Sequence, residues 1–170
     1  MPSLLVVDDE PNILLAFRRA YRDAGLAVHT AESAEEGLNL AARHKPDVVV
    51  LDVQLPDLNG LEAFRRLQGL DSRLPVIFIT GHGTTDTAIE AMKLGAFDYL
   101  LKPLELDQLR ALIDRACSIS RGMHVKAVTA EEPVPPEPSD VLVGRSPAMQ
   151  EVYKTIGRVA PQDVTVLITG

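Results

Sequence analysis

The sequence predicts an α/β fold, a five-stranded parallel sheet doubly wound with helices on both faces. Five short apolar or β-branched runs recur up to residue 101, and helical patterns alternate with them. Most runs are followed by a turn before the next helical pattern, the spacing of βα units rather than of hairpins.

The runs are Leu4 to Val7, Ala27 to Thr30, Val48 to Leu51, Val76 to Ile79 and Tyr99 to Leu101. After the first, Ile13, Leu14, Phe17 and Tyr21 recur with a helical period, bounded by Pro11 at the start and Gly25 just past the end. Ser33 and Glu36 form a capping box opening the second helix, with Leu38, Ala41 and Ala42 toward the core. Asn59-Gly60 precedes the third helix, which presents Leu61, Phe64 and Leu67. The fourth carries Ala88, Ile89 and Met92 and ends at Gly95. The fifth carries Leu106, Leu109, Leu112, Ile113 and Ala116, and its stripe continues through Ile119 to about Val125 as a protruding helix. Taken in order, these units predict a flavodoxin-like sheet.

Residues 1–121 therefore form one domain. Residues 122–140 are a helical extension and a linker, since Glu131 to Asp140 reads EEPVPPEPSD, with few backbone donors and little apolar surface. Residues 141–170 resume globular character: Met149, Val152, Ile156 and Val159 recur helically, and Val164 to Ile168 reads as a buried strand. Thirty residues cannot bury both faces of such a strand, so this segment is expected to be disordered, or ordered only by packing on the first domain or on another molecule.

Hydrophobic residues at 46% and charged residues at 24% are ordinary globular values, which argues against wholesale disorder. A net charge of -7 argues against a phosphate-gripping surface, so no direct nucleic-acid contact is expected. The single cysteine, Cys117, excludes an internal disulfide and a thiolate metal site. No signal-like start and no apolar run of about 20 residues is present, so the expected location is cytoplasmic, without a membrane partner.

In a doubly wound sheet, Asp8 and Asp9 follow the first strand and Asp52 the third, at the carboxyl edge where ligands of open α/β sheets bind. Gathered carboxylates repel one another, and a hard divalent cation such as Mg²⁺ relieves that repulsion. Thr80 follows the fourth strand and can donate a hydroxyl to a phosphoryl oxygen. Lys102 follows the fifth and supplies a mobile positive charge. Singly, each residue has a plain structural explanation: a turn, a helix start, a solvated lysine. Their common position at one end of the strands favours phosphoryl transfer to a carboxylate.

The segments LLVVDDEP, VVVLDVQLPDLNG, VIFITGHG and AFDYLLKPLE, in that order across residues 3 to about 121, resemble the response-regulator receiver family. The resemblance implies Asp52 as phosphoacceptor, Asp9 and Asp52 as direct Mg²⁺ ligands, Asp8 acting through water, and the backbone carbonyl of Gln54 as a further ligand. It implies switch roles for Thr80 and Tyr99, a cis peptide before Pro103, and control of acyl-phosphate hydrolysis by Gln54 and His82. His82 also reads as an ordinary exposed loop histidine. The stretch LVGRSPAMQEVYKTIGRVAPQDVTVLITG resembles the opening of the AAA+ ATPase domain of NtrC-type activators of sigma-54 RNA polymerase. A P-loop would only be starting at Gly170, so this chain is expected neither to bind nor to hydrolyse ATP.

The expected function is a switch rather than an enzyme: a sensor histidine kinase phosphorylates Asp52, and the surface around the fourth helix, fifth strand and fifth helix repacks. That surface then governs homodimerisation or contact with the chain's own or a neighbouring AAA+ domain. One alternative is a degenerate receiver serving as a constitutive interaction module, against which the set Asp8, Asp9, Asp52, Thr80 and Lys102 argues. Another is a Mg²⁺-dependent phosphohydrolase of the haloacid-dehalogenase kind. Its Asp-x-Asp pattern is absent, because the residue two beyond Asp8 is Glu10.

Overall fold

Each apolar run is the centre of a strand, and each strand is one residue longer than its run. In the computed structural model, which describes residues 2–22, 24–81, 85–123, 147–160 and 162, the strands are β1 (Ser3–Val7), β2 (Ala27–Ala31), β3 (Val48–Asp52), β4 (Val76–Thr80) and β5 (Asp98–Leu101). The helices are α1 (Pro11–Ala20), α2 (Ala34–His44), α3 (Gly60–Leu70), α4 (Thr85–Lys93), α5 (Leu106–Met123) and α6 (Pro147–Val159). Three of the added strand residues, Asp52, Thr80 and Asp98, are polar and buried, which is why a rule based on apolar runs stops short of them.

All neighbouring strands pair in parallel, in the order β2-β1-β3-β4-β5. The order reverses between β1 and β3, and there a crevice opens at the carboxyl ends. Alternation along each strand feeds two cores. Leu5, Val7, Val49, Leu51, Phe78 and Tyr99 pack with residues of α2, α3 and α4 on one face. Leu4, Val6, Val50, Ile77 and Ile79 pack with residues of α1 and α5 on the other.

Local signals act as expected, with two corrections. The Ser33 hydroxyl accepts the Glu36 N–H at 3.3 Å, but Glu36 reaches back to the N–H of Glu32 rather than of Ser33. The buried stripe of α2 is Ala34, Gly37 and Ala41, whereas Ala42 is exposed one position off that stripe. Helix α5 runs through Met123, into the helical extension expected from residue 122. The Pro/Glu-rich linker, His82 and the expected strand from Val164 to Ile168 lie outside the described residues. Helix α6 lies within them and packs against α4.

Candidate functional site

Two strand ends build the core of the site with the same local device. Just past β1, Asp8 Oδ1 accepts the N–H of Glu10 at 2.8 Å; at the end of β3, Asp52 Oδ1 accepts the N–H of Gln54 at 2.9 Å. Each is a turn in which a carboxylate bonds the backbone two residues on. The turn fixes one oxygen and leaves Oδ2 facing the crevice. Lys102, following β5, fills the space between them: its Nζ is 2.7 Å from Asp52 Oδ2, 2.8 Å from Asp8 Oδ2 and 2.6 Å from Glu10 Oε1. The peptide between Lys102 and Pro103 is cis.

The chain must approach Asp52 closely from the other side. Gly60, the first residue of α3, leaves no room for a Cβ, which would fall 2.7 Å from Val53 Cα and against the Asp52 carbonyl oxygen. The intervening loop is tied to α2: the Asp57 carboxylate accepts the N–H groups of Ala34 and Glu35, each at 2.9 Å. Together these contacts hold the Asp52 loop from both ends.

Carboxylate oxygens of Asp8, Glu10 and Asp52 lie within 4.8 Å of one another. Asp8 is fully buried and Asp52 is 3% exposed. Burial pushes the Asp8 carboxyl above its ordinary pKa, against the opposing pull of Lys102 and the Glu10 N–H. Burial alone would lower the Lys102 ammonium, but its close charged contacts with Asp52, Asp8 and Glu10 win and hold it well above the ordinary lysine range. Asp8 Oδ2 sits at ion-pair distance from Lys102 yet lacks the alignment of a hydrogen bond, so this buried oxygen keeps unused acceptor capacity. Three clustered carboxylates with spare acceptor capacity fit a hard divalent cation.

Among the residues expected at the site, Asp8, Asp52 and Lys102 converge. Asp9 is exposed and outside the carboxylate cluster, where Glu10 stands instead, because the Asp8 turn brings Glu10 back toward Lys102. Glu10 was missed by the sequence reading, although a third acid directly after Asp8-Asp9 was a visible signal. Thr80 ends β4 buried, and its carbonyl accepts the N–H of Lys102 at 2.8 Å. Tyr99 is buried on β5. Its hydroxyl has no hydrogen-bond partner among the described residues, and burial raises its pKa. The Gln54 side chain is exposed beside the crevice.

A second cluster lies at the start of β5. Asp98 is buried and meets Lys154 of α6 at 2.7 Å and Arg115 of α5 at 3.2 Å. Sequence reasoning did not single out Asp98 or Lys154.

The sequence model of the response regulator receiver domain matches residues 4–114. The chain belongs to the response regulator receiver family. It is 37% identical over 166 residues to the DNA-binding transcriptional regulator NtrC of Klebsiella pneumoniae, covering 97% of this chain and 34% of that protein. It is 32% identical over 173 residues to the regulatory protein AtoC of Escherichia coli, covering 98% of this chain and 36% of that one. The chain thus spans about a third of the length of these curated relatives. Among solved structures, a receiver domain protein from Clostridium thermocellum matches with a TM-score of 0.69 and 36% identity, covering 72% of this chain and 99% of that one. A response regulator of Burkholderia pseudomallei with a phosphorylated aspartic acid and a calcium ion matches with a TM-score of 0.63 and 27% identity, covering 74% of each chain. Family and fold together mark the chain as a phosphoacceptor module of two-component signalling, and a constitutive interaction module is the less favoured alternative.

Proposed function

We propose that Asp52 accepts a phosphoryl group from a phosphohistidine of a sensor kinase, and that the resulting acyl phosphate controls an ATPase or transcription-activating domain of the same protein. The observation that carries this reading is the Asp52 carboxylate itself. It is buried at the end of the central strand, with Oδ1 held by the Gln54 N–H and Oδ2 beside Lys102. A carboxylate oxygen attacks phosphorus, the bond from phosphorus to the imidazole nitrogen breaks, and that nitrogen leaves with its electron pair and takes up a proton. Lys102 neutralises charge on the phosphoryl oxygens, and the buried hydroxyl of Thr80 donates to one of them.

Asp9 and Asp52 would hold Mg²⁺ with the Gln54 carbonyl and Asp8 would act through water, while Glu10, in the same turn, is a further acid of the cluster. When bound, the ion neutralises phosphoryl oxygens and offsets carboxylate repulsion. Tyr99 follows Thr80, and its unpartnered hydroxyl supports a side chain able to change position. Gln54 and His82 set how fast water reaches the acyl phosphate. The Burkholderia relative, whose structure holds a phosphorylated aspartic acid and a calcium ion, supports the same chemistry. The relatives NtrC, a DNA-binding transcriptional regulator, and AtoC, a regulatory protein, support an output in transcription, and the cytoplasm is the proposed location.

Intact-mass spectrometry after incubation with Mg²⁺ and acetyl phosphate tests the reading. One added phosphoryl group is expected on the wild-type chain and none on Asp52→Asn. A variant labelled as fully as wild type would place the acceptor elsewhere.

A further inference from the structure

Helix α6 meets the receiver through a face that its apolar pattern does not predict. Lys154 is 4% exposed, and Gly157, one turn on, is also buried. At about 100° per residue, Val152 and Ile156 lie about 160–200° round the helix from Lys154. Val152 is 45% exposed, and Ile156 and Val159 are only partly buried. The helix therefore docks with its polar, small-residue face and leaves its apolar stripe free to pack in a domain of its own.

The docked face is specific. A lysine is almost never so deeply buried unless it is paired. Lys154 Nζ is 2.7 Å from Asp98 Oδ1 and 2.9 Å from Glu151 Oε1. Arg158 donates to the Phe97 carbonyl at 3.3 Å and lies 3.9 Å from Asp98 Oδ2. Gly157 lets the backbones of α6 and α4 approach closely: a Cβ there would lie 2.9 Å from the Ile89 carbonyl oxygen and collide with the Met92 Cβ. The socket also belongs to the strand that serves the acidic crevice. Asp98 opens β5, Tyr99 follows it, and Lys102 stands just past its end. Tyr99 and Lys102 line one cavity with Glu151 and Lys154 of α6.

We propose that the α4–β5 edge is a docking surface for the Pro147–Val159 helix of the same chain, held by the Asp98–Lys154 ion pair and the Gly157 contact, and that phosphorylation loosens it through β5. The docked helix is fitted to the present positions of Asp98 and Tyr99, so repacking of β5 takes contacts from it. The loosening half rests on the phosphoacceptor reading; the docking half does not.

Hydrogen exchange of the 170-residue chain, read by mass spectrometry of peptides spanning 147–159, tests both halves. Gly157→Ala gives a clean sign. Alanine raises intrinsic helix propensity, so an undocked helix would become more protected, whereas the docked helix, with no room for the methyl, is expected to exchange at least about tenfold faster. Lys154→Met is expected to do the same, while protection of β1, β3 and β4 stays constant in both variants and reports an intact receiver. Unprotected 147–159 in wild type, or slower exchange in Gly157→Ala, would overturn the docking surface. After acetyl phosphate treatment, faster exchange of 147–159 supports the coupling; unchanged exchange in a chain that has gained the phosphoryl mass overturns it. Absence of any mass gain instead overturns the phosphoacceptor reading and the coupling with it, and leaves the docking surface to be judged by Gly157→Ala.

Discussion

Two lysines of this chain sit among acids, Lys154 buried and Lys102 partly so, and the charge balance around them is opposite. Lys102 is one ammonium facing three carboxylates, those of Asp8, Glu10 and Asp52. At the other end of the same strand, Asp98 is one buried carboxylate facing Lys154, Arg115 and Arg158, with Glu151 at the rim. Breaking a buried pair leaves an uncompensated charge, and that penalty is what mutation measures. The crevice keeps an excess of negative charge that another cation can answer, whereas the Asp98 cluster is already supplied with cations. An imbalance of that kind marks chemistry, and a supplied cluster marks adhesion between elements.

The largest expected effect tests the crevice. Lys102→Met removes the one ammonium shared by three acids and is expected to cost about 3 kcal/mol in urea unfolding with a chelator present. Millimolar Mg²⁺ should recover much of that loss, because a ligand that binds only the folded chain stabilises it by mass action. A loss indifferent to Mg²⁺ would mean that the three carboxylates do not form a cation site. At the other cluster, Asp98→Asn is expected to weaken α6 docking by no more than about 3 kcal/mol, since Lys154 keeps Glu151 at 2.9 Å and the helix can swing into water. Its signature is faster exchange in residues 147–159 with no dependence on Mg²⁺. Dependence on Mg²⁺ there would dissolve the distinction between the two clusters.

Removing an acid should have opposite signs at the two places. Asp52→Asn deletes a like charge from an overcrowded crevice, so a gain of about 1 kcal/mol in chelator is expected, shrinking when Mg²⁺ is added. A destabilisation of the size expected for Asp98→Asn would show that Lys102 depends on Asp52 more than Asp52 suffers from Asp8 and Glu10.

The crevice was largely legible in the sequence because each of its residues borders a strand, and strands announce themselves by apolar runs. Asp8, Asp52, Thr80 and Lys102 could each be located by counting to the end of a run. Glu10 was not located, because its place depends on the turn made by Asp8 Oδ1 and the Glu10 N–H, a local bond that no periodicity encodes. Asp98 and Lys154 were harder. They lie on different elements far apart in the chain, and the α6 stripe pointed to Val152, Ile156 and Val159, on the side away from the receiver. Hydrophobic patterning finds the face that a helix buries in its own domain, and here the face touching the receiver is carried by a lysine and a glycine.

Acid titration sharpens the comparison at the smallest scale, and it needs a group outside both clusters to be removed first. The raised pKa of Asp8 means that its ionised form is penalised in the folded chain. Its stabilising share is present below the ordinary value of 3.8 and is lost as pH rises through the folded value. His29 acts in the opposite sense. It is partly buried on β2 and stacks on His44 of α2, with ring centroids 4.1 Å apart. Burial lowers its pKa, and the neighbouring His44 lowers it further. A histidine lowered in this way adds stability above its ordinary value of 6.5, and that share is lost as pH falls through the folded value. His29→Gln is therefore expected to flatten the fall in stability just below pH 6.5 by less than about 1 kcal/mol, measured by urea unfolding at a series of pH values. What remains of the slope at lower pH then belongs to the carboxylates. If His29→Gln leaves the slope below pH 6.5 unchanged, the acid response arises elsewhere in the chain and the stacked pair is a packing contact alone.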